Sequence, residues 1–381
     1  MKVCIAIDSF KGSLSTVEVG EAARRGVLAA YPKAEVTVSP MADGGEGTVE
    51  AIVSAMGGEI VELSVCGPLG KPVKASYGAI DSTKTAIIEM ASAAGLTLLP
   101  EKDRNPLHTT TYGVGELILD AVKRGCRNFV IGIGGSATND GGAGMLAALG
   151  VMLLDKKGAP IKRGAAGLRT LADIRTHKMP RELSECRFSV ACDVTNPLLG
   201  EQGCSAVFGP QKGATPMIVA DMEKSLKKYA ALTKEILPDS DPDFPGSGAA
   251  GGLGFAFMAY LGAKLCPGID LVIEATGLEE KIKAADVVVT GEGRLDGQSI
   301  MGKAPIGVAR LAKKHKKTVI ALVGSLSSDA GICHAEGIDA FFPILRAPCS
   351  LAKAMDPDVA KKNTALAAEE AFRLIRAAKR R

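Results

Sequence analysis

The apolar positions of this chain fall into short blocks of two kinds that alternate. "KVCIAID" is an almost unbroken apolar run, the pattern of a strand buried on both faces. "STVEVGEAARRGVLAAYP" follows it, with an amphipathic spacing, a Ser/Thr start and a Pro stop, as a helix has. "EVTVSPM" reads as a strand, "GEGTVEAIVSAMGG" as a short helix with a glycine exit, and "EIVELSV" as a strand. This βαβαβ order predicts a parallel, doubly wound sheet. Then the rhythm changes. "GPLGKPVKASYGAI" and "KTAIIEMA" are strands joined by turn chemistry with no room for helices, so an antiparallel meander and a domain boundary near residues 67–74 are expected.

The middle of the chain reads "YGVGELILDAVKRG" as helix, "NFVIGIG" as strand, "GAGMLAALG" as helix, "FSVACDV" as strand and "TPMIVADMEKSLKKYAALTKEILP" as a longer helix. Near residue 285 the first rhythm returns, with strands "DVVVTG", "KTVIALVGS" and "AFFPIL", the helix "PIGVARLAKKH", and an alanine-rich helix at the end. The longest apolar stretch, "AAGGLGFAFMAYLGA", falls short of the roughly 20 residues of a membrane span and predicts a buried helix. The fold class is α/β.

Composition narrows the function. The 381 residues are 46% hydrophobic and 23% charged, which supports a large core rather than disorder. Aromatics make up 4% with no Trp, so base-stacking platforms are not expected. The net charge of +4 is spread over segments such as "KKHKK" that read as solvated surface, and no nucleic-acid or membrane partner is expected. Nine cysteines without a C-x-x-C argue against zinc and for reduced thiols in a cytoplasmic protein.

In doubly wound sheets ligands bind beyond the carboxyl ends of the strands. Those positions here carry "DSFKGSLS" (Asp8, Ser9, Lys11, Ser13), "MADGGEGT" (Asp43, Glu46, Thr48), "GGSATNDGG", "SVACDVTNPLLG" (Asp193, Thr195, Asn196) and "TGEGRLDGQSIMGK" (Glu292, Arg294, Asp296, Ser299, Lys303). The third of these admits a dinucleotide reading, since Gly132, Gly134 and Ala137 fit G-x-G-x-x-A and Asp155 follows at about the right distance for a ribose. Several carboxylates near a pyrophosphate would repel it, however. Carboxylates beside glycine loops suit a divalent cation bridging to phosphate, the chemistry of phosphoryl transfer. "GQSIMGK" satisfies G-x-x-x-x-G-K, but Ala304 stands where a P-loop has its metal-binding Ser or Thr. "PGSGAAGGLGFA" is either a second anion loop or a glycine-thinned, tightly packed helix start.

Taken together, "DSFKGSLS", "PMADGGEGT", "HTTTYGVGELI", "GIGGSATNDGGAGMLAALG", "CDVTNPLLG", "FGPQKGA", "PGSGAAGGLGFA" and "VVVTGEGRLDGQSIMGK" resemble the bacterial glycerate kinase family of the first type, over nearly the whole chain. The resemblance implies ATP-dependent phosphorylation of D-glycerate with Mg2+, giving 2-phosphoglycerate rather than 3-phosphoglycerate. It also implies a Rossmann-like α/β domain built from both chain ends, here residues 1–72 and 286–381. A larger α/β domain with a mixed sheet, residues 73–285, is inserted in it, with the active site in the cleft between the two. Monomer and homodimer stay open.

Within that frame, Lys11 and Arg294, with Ser9 and Asn196, are the expected substrate-binding residues, Arg294 because its fork matches a carboxylate. Gly134, Gly135, Ser136, Thr138, Asn139 and Lys303 are expected at the ATP phosphates. Asp43, Asp296 and Asp140 are expected at the metal, and Asp193 as the base that takes the proton of the reacting hydroxyl, with Asp140 able to exchange roles with any of these.

Overall fold

The computed structural model describes residues 1–297 and 299–379. Its strands are β1 (Lys2–Ile7), β2 (Glu35–Val38), β3 (Glu59–Cys66), β4 (Pro72–Ile80), β5 (Thr85–Glu89), β6 (Asn128–Gly132), β7 (Met152–Asp155), β8 (Leu171–Arg175), β9 (Arg187–Ala191), β10 (Lys264–Cys266), β11 (Val287–Leu295), β12 (Thr318–Leu326) and β13 (Ala340–Pro343). They form two compact units. The first comprises Met1–Asp43, Glu50–Gly57 and the described residues from Gly268 on; the second comprises Gly44–Val49 and Gly58–Pro267.

The first unit is a five-stranded sheet in the order β13-β12-β11-β1-β2, parallel throughout. Val3, Ile5 and Ile7 of β1, Val287 and Val289 of β11, and Ile320 and Leu322 of β12 point to one face, where helices Thr16–Ala30 and Pro357–Ala378 cover them. The first of these helices is capped by Ser15, whose hydroxyl accepts from Glu18 N–H while the Glu18 carboxylate accepts from Ser15 N–H. Gly26 lets the two helices touch, because a Cβ there would collide with the Ala365 carbonyl. Helices Leu278–Ala284 and Ala304–Lys314 pack on the same sheet.

The second unit has a six-stranded sheet, β10-β9-β6-β5-β4-β3, and a separate antiparallel pair, β7-β8. β10, β9, β6 and β5 run parallel, and β4 and β3 are added antiparallel. Phe129 of β6 stacks on Phe188 of β9 with ring centroids 4.7 Å apart, and Phe257 of helix Ala249–Leu261 leans on Phe188.

The fold differs from the sequence reading in two places. "EIVELSV", expected as a third parallel strand of the first domain, is β3 and pairs antiparallel with β4 in the other sheet. A five-residue link, closed by Gly67 N–H donating to the Lys71 carbonyl at 2.7 Å, makes the hairpin the short path. The units accordingly divide at residues 57–58 and 267–268, where the sequence reading placed the divisions at 72–73 and 285–286. Helices Gly268–Thr276 and Leu278–Ala284 go with the first unit because they pack against helix Ala304–Lys314 and β1.

Candidate active site

The first unit contains a pocket of about 380 Å³ at the carboxyl edge of its sheet. Four strands feed it. Asp8 follows β1 directly, and the turn after it carries Ser9 and Lys11. That turn closes where Phe10 N–H donates to the Leu14 carbonyl at 2.9 Å, with Gly12 at φ +77°. Asp43 comes from the loop after β2. Glu292 and Arg294 alternate with glycines at the end of β11, so both project to one face. Gly324 and Ser325 come from β12, and Lys303 precedes helix Ala304–Lys314.

Charges of both signs interleave here. Lys11 Nζ lies 3.3 Å from Asp43 Oδ2. Lys303 Nζ bridges Glu292 at 3.4 Å and Asp296 at 3.3 Å, and Arg294 reaches Asp296 at 3.7 Å. Ser299 Oγ donates to Glu292 Oε1 at 2.5 Å. Asp8 and Glu292 are buried. Burial pushes the Asp8 carboxyl up to about 7, with the nearby Asp43 charge acting in the same direction. Burial likewise raises Glu292 above the usual carboxylate range, against the pull of Ser299 and Lys303. A carboxyl near 7 in one pocket with the head groups of Lys11, Arg294 and Lys303 is equipped to exchange a proton next to a bound anion.

The glycine loop of 132–142 lies in the second unit and is held from several directions. The fully buried Lys212 donates through Nζ to Ser136 Oγ at 2.8 Å and to the Thr138 carbonyl at 2.6 Å. Burial lowers its ammonium to about 8. Thr109 Oγ1 donates to the Ala137 carbonyl, and Asn139 Nδ2 donates to Ser205 Oγ. Asp140 is completely enclosed, and it accepts from Thr111 N–H and Oγ1 and from the N–H groups of Gly142 and Gly144. Ala250, Gly251 and Gly252 all have positive φ; Gly141 N–H donates to the Gly251 carbonyl at 2.9 Å, and a Cβ on Gly251 would strike the Thr138 carbonyl.

Of the residues expected at the chemistry, Ser9, Lys11, Asp43, Arg294 and Lys303 line the one pocket, and Asp296 is paired to two of them. The 132–142 loop is different. Ser136, Thr138 and Asn139, expected at phosphates, are buried; Ser136 Oγ and Asn139 Nδ2 are bonded to Lys212 and Ser205, Thr138 Oγ1 and Asn139 Oδ1 have no hydrogen-bond partner, and only Gly134 and Gly135 are exposed. Asp140, expected at the metal, is enclosed, with its oxygens accepting from Thr111 and the following turn. Asp193 stands exposed after β9, and the Asn196 amide is spent on the Gln202 carbonyl at 2.8 Å. The dinucleotide reading fails: Asp155 closes a turn by accepting from Lys157 and Ala159, and β7 pairs with β8 instead of joining β6. "PGSGAAGGLGFA" is the tightly packed helix start, and in "GQSIMGK" Gln298 lies outside the described residues.

Three residues escaped the sequence assignments. Asp8 and Glu292 were visible as strand-end carboxylates, but their burial was not. Lys212 lies in the quoted motif "FGPQKGA" but was given no role, since its partners lie 76 and 74 positions away.

Fold and pocket together define a class: an α/β enzyme with its pocket at the carboxyl edge of a parallel sheet. The glycerate kinase family model matches residues 3–376. The chain is 51% identical over 345 residues to the glycerate 2-kinase of Escherichia coli (strain K12), covering 91% of each. It is 49% identical over 345 residues to the glycerate kinase of Bacillus subtilis (strain 168), covering 91% of this chain and 90% of that one. It is also similar to a crystal structure of a protein designated glycerate kinase 2 from Salmonella typhimurium LT2, with a TM-score of 0.92, 47% identity and 100% of both chains covered. The chain belongs to the glycerate kinase family and is an enzyme of the kinase class.

Proposed function

We propose that this enzyme transfers the γ-phosphoryl group of ATP to D-glycerate in the pocket of its first unit, and that the product is 2-phosphoglycerate. The observation that carries the reading is the meeting, in one pocket, of Lys11 and the buried Asp8 after β1 with Arg294 of β11 and with Lys303. The name of the Escherichia coli relative supports the 2-position. Lys11 and Arg294, with Ser9 beside them, hold the glycerate carboxylate; Lys303 serves the phosphates. Asp8 takes the proton of the attacking hydroxyl, because a base works best with a pKa near the operating pH. Asp193 is the competing choice, and paired substitutions separate the two.

Among the described residues no group of three or more His, Cys, Asp or Glu side chains is arranged to hold a metal ion. Mg2+ in ATP enzymes uses one or two carboxylates and completes its shell with phosphate oxygens and water. The hard oxygen donors Asp43 and Asp296 fit that demand, and they would hold the ion, which supplies neutralisation of phosphate charge. No described helix is long and apolar enough to cross a membrane. The nine cysteines are free thiols, which supports a cytoplasmic location.

The test is incubation with D-glycerate and Mg-ATP, followed by phosphorus and carbon NMR. Phosphate on carbon 2 is expected. Phosphate on carbon 3 overturns the regiochemistry, and no phosphorylated acid overturns the reading.

A further inference from the structure

One stretch of the pocket wall has no role in the assignments just made. Beyond β13 the chain contributes Ile344 and Leu345, and the short helix Leu351–Met355 contributes Leu351, Ala354 and Met355, all apolar. Leu351 is 77% exposed and Leu345 39%, although both line a concavity. Large apolar side chains left open in a pocket are a binding surface more often than a packing accident. This wall borders the charged part closely: a Cβ on Gly12 would come within 3.0 Å of Met355 Cε, so Met355 lies against the turn that carries Lys11.

Size points the same way. A volume of about 380 Å³ lies in the range of roughly 300–1,000 Å³ that takes drug-sized ligands, far more than a three-carbon acid fills. An occupant that fills it beside the acid offers a flat, compact body for the apolar wall, joined to an anionic tail that reaches Lys303. A nucleoside triphosphate has that form.

We infer that Ile344, Leu345, Leu351, Ala354 and Met355 form the subsite for the purine ring of the nucleotide, with its phosphates directed to Lys303. This rests on the proposed phosphoryl transfer and extends it by assigning the base to the segment after β13. It also assigns the nucleotide to the first unit, away from the buried side chains of the 132–142 loop.

The test uses the full-length enzyme with Leu351→Glu, Met355→Glu and the control Leu351→Met. Because Leu351 is so exposed, its substitution leaves folding intact, which thermal unfolding verifies. Binding of Mg-ADP is measured by calorimetry, independently of turnover, and steady-state kinetics give both KM values. The glutamate variants are expected to weaken ADP binding and raise the KM for ATP by roughly ten-fold or more, the scale set by apolar groups in a pocket. The KM for glycerate should change less than about two-fold, and Leu351→Met should stay near wild type. A rise in the glycerate KM with ADP binding unchanged overturns the subsite, and so does no change in either. A wild-type protein that binds ADP through this wall but leaves glycerate unphosphorylated sinks the proposed function and keeps the subsite.

Discussion

Lys212 donates its ammonium protons to Ser136 Oγ at 2.8 Å and to the Thr138 carbonyl at 2.6 Å, in an interior that excludes solvent. One lysine therefore fixes both sides of Ala137 in the 132–142 loop. Its cost is the burial of a cation, which is why its proton is released near 8 instead of near 10.5.

That shift has a definite sign. Between about 8 and 10.5 the unfolded chain holds the Lys212 proton and the folded chain does not, so stability gains with rising pH in that window. Relative to Lys212→Met, the wild type should gain at most about 1.4 kcal/mol per pH unit there. Denaturant midpoints of both proteins at several pH values check this; a constant difference across the window removes the assignment.

Asp8→Asn keeps the shape and removes the proton acceptor. The rate should fall by roughly 10²–10⁴-fold. The wild-type rate should rise with pH as the Asp8 carboxyl ionises around 7, and the variant should lose that limb. Asp193→Asn should remain within a few-fold of wild type. The reverse result, a large loss at Asp193 and a small one at Asp8, transfers the base to the second unit.

Excess chelator should abolish turnover. Asp43→Asn and Asp296→Asn should each raise the Mg2+ concentration needed for half-maximal rate by roughly ten-fold or more, with partial rescue by added Mg2+. Titration of the rate with Mg2+ measures this, and unchanged metal dependence in both variants excludes them as ligands.

Gly251→Ala and Gly277→Ala share a left-handed backbone, at φ +70° and +60°, but differ in surroundings. A Cβ at 277 meets open space, whereas one at 251 runs into the Thr138 carbonyl. Gly277→Ala should cost about 1 kcal/mol and Gly251→Ala clearly more, on the order of 3 kcal/mol. Equal losses in unfolding experiments would falsify the packing role of Gly251.

Much of this was legible in the sequence. Unbroken apolar runs located β1, β11 and β12, and the Ser/Thr start at Ser15 marked the beginning of the first helix, because these signals act within a few residues. β3 was placed in the wrong sheet because its partner was decided by a five-residue hairpin link, while its composition suits either sheet. The strand-end rule found Lys11, Asp43, Arg294 and Lys303, which share one pocket. It could not tell Asp140, a carboxylate enclosed by backbone N–H groups, from Asp8, a carboxylate lining a pocket, because depth is a property of the assembled sheet.

The pairing of Val3 with Val287 also sets an order of events on the ribosome. β1 and β2 emerge first, yet the strand that flanks β1 on its other side is made 284 positions later. Every strand of the second unit has been synthesised by residue 266. The middle of the nascent chain is thus able to fold while its beginning waits with an open edge, the state in which a strand is prone to wrong partners. A chain truncated before residue 287 should show a protease-resistant middle and a cleavable N-terminal segment. The enzyme's most vulnerable moment then falls during its own synthesis, between the completion of the inserted unit and the arrival of β11.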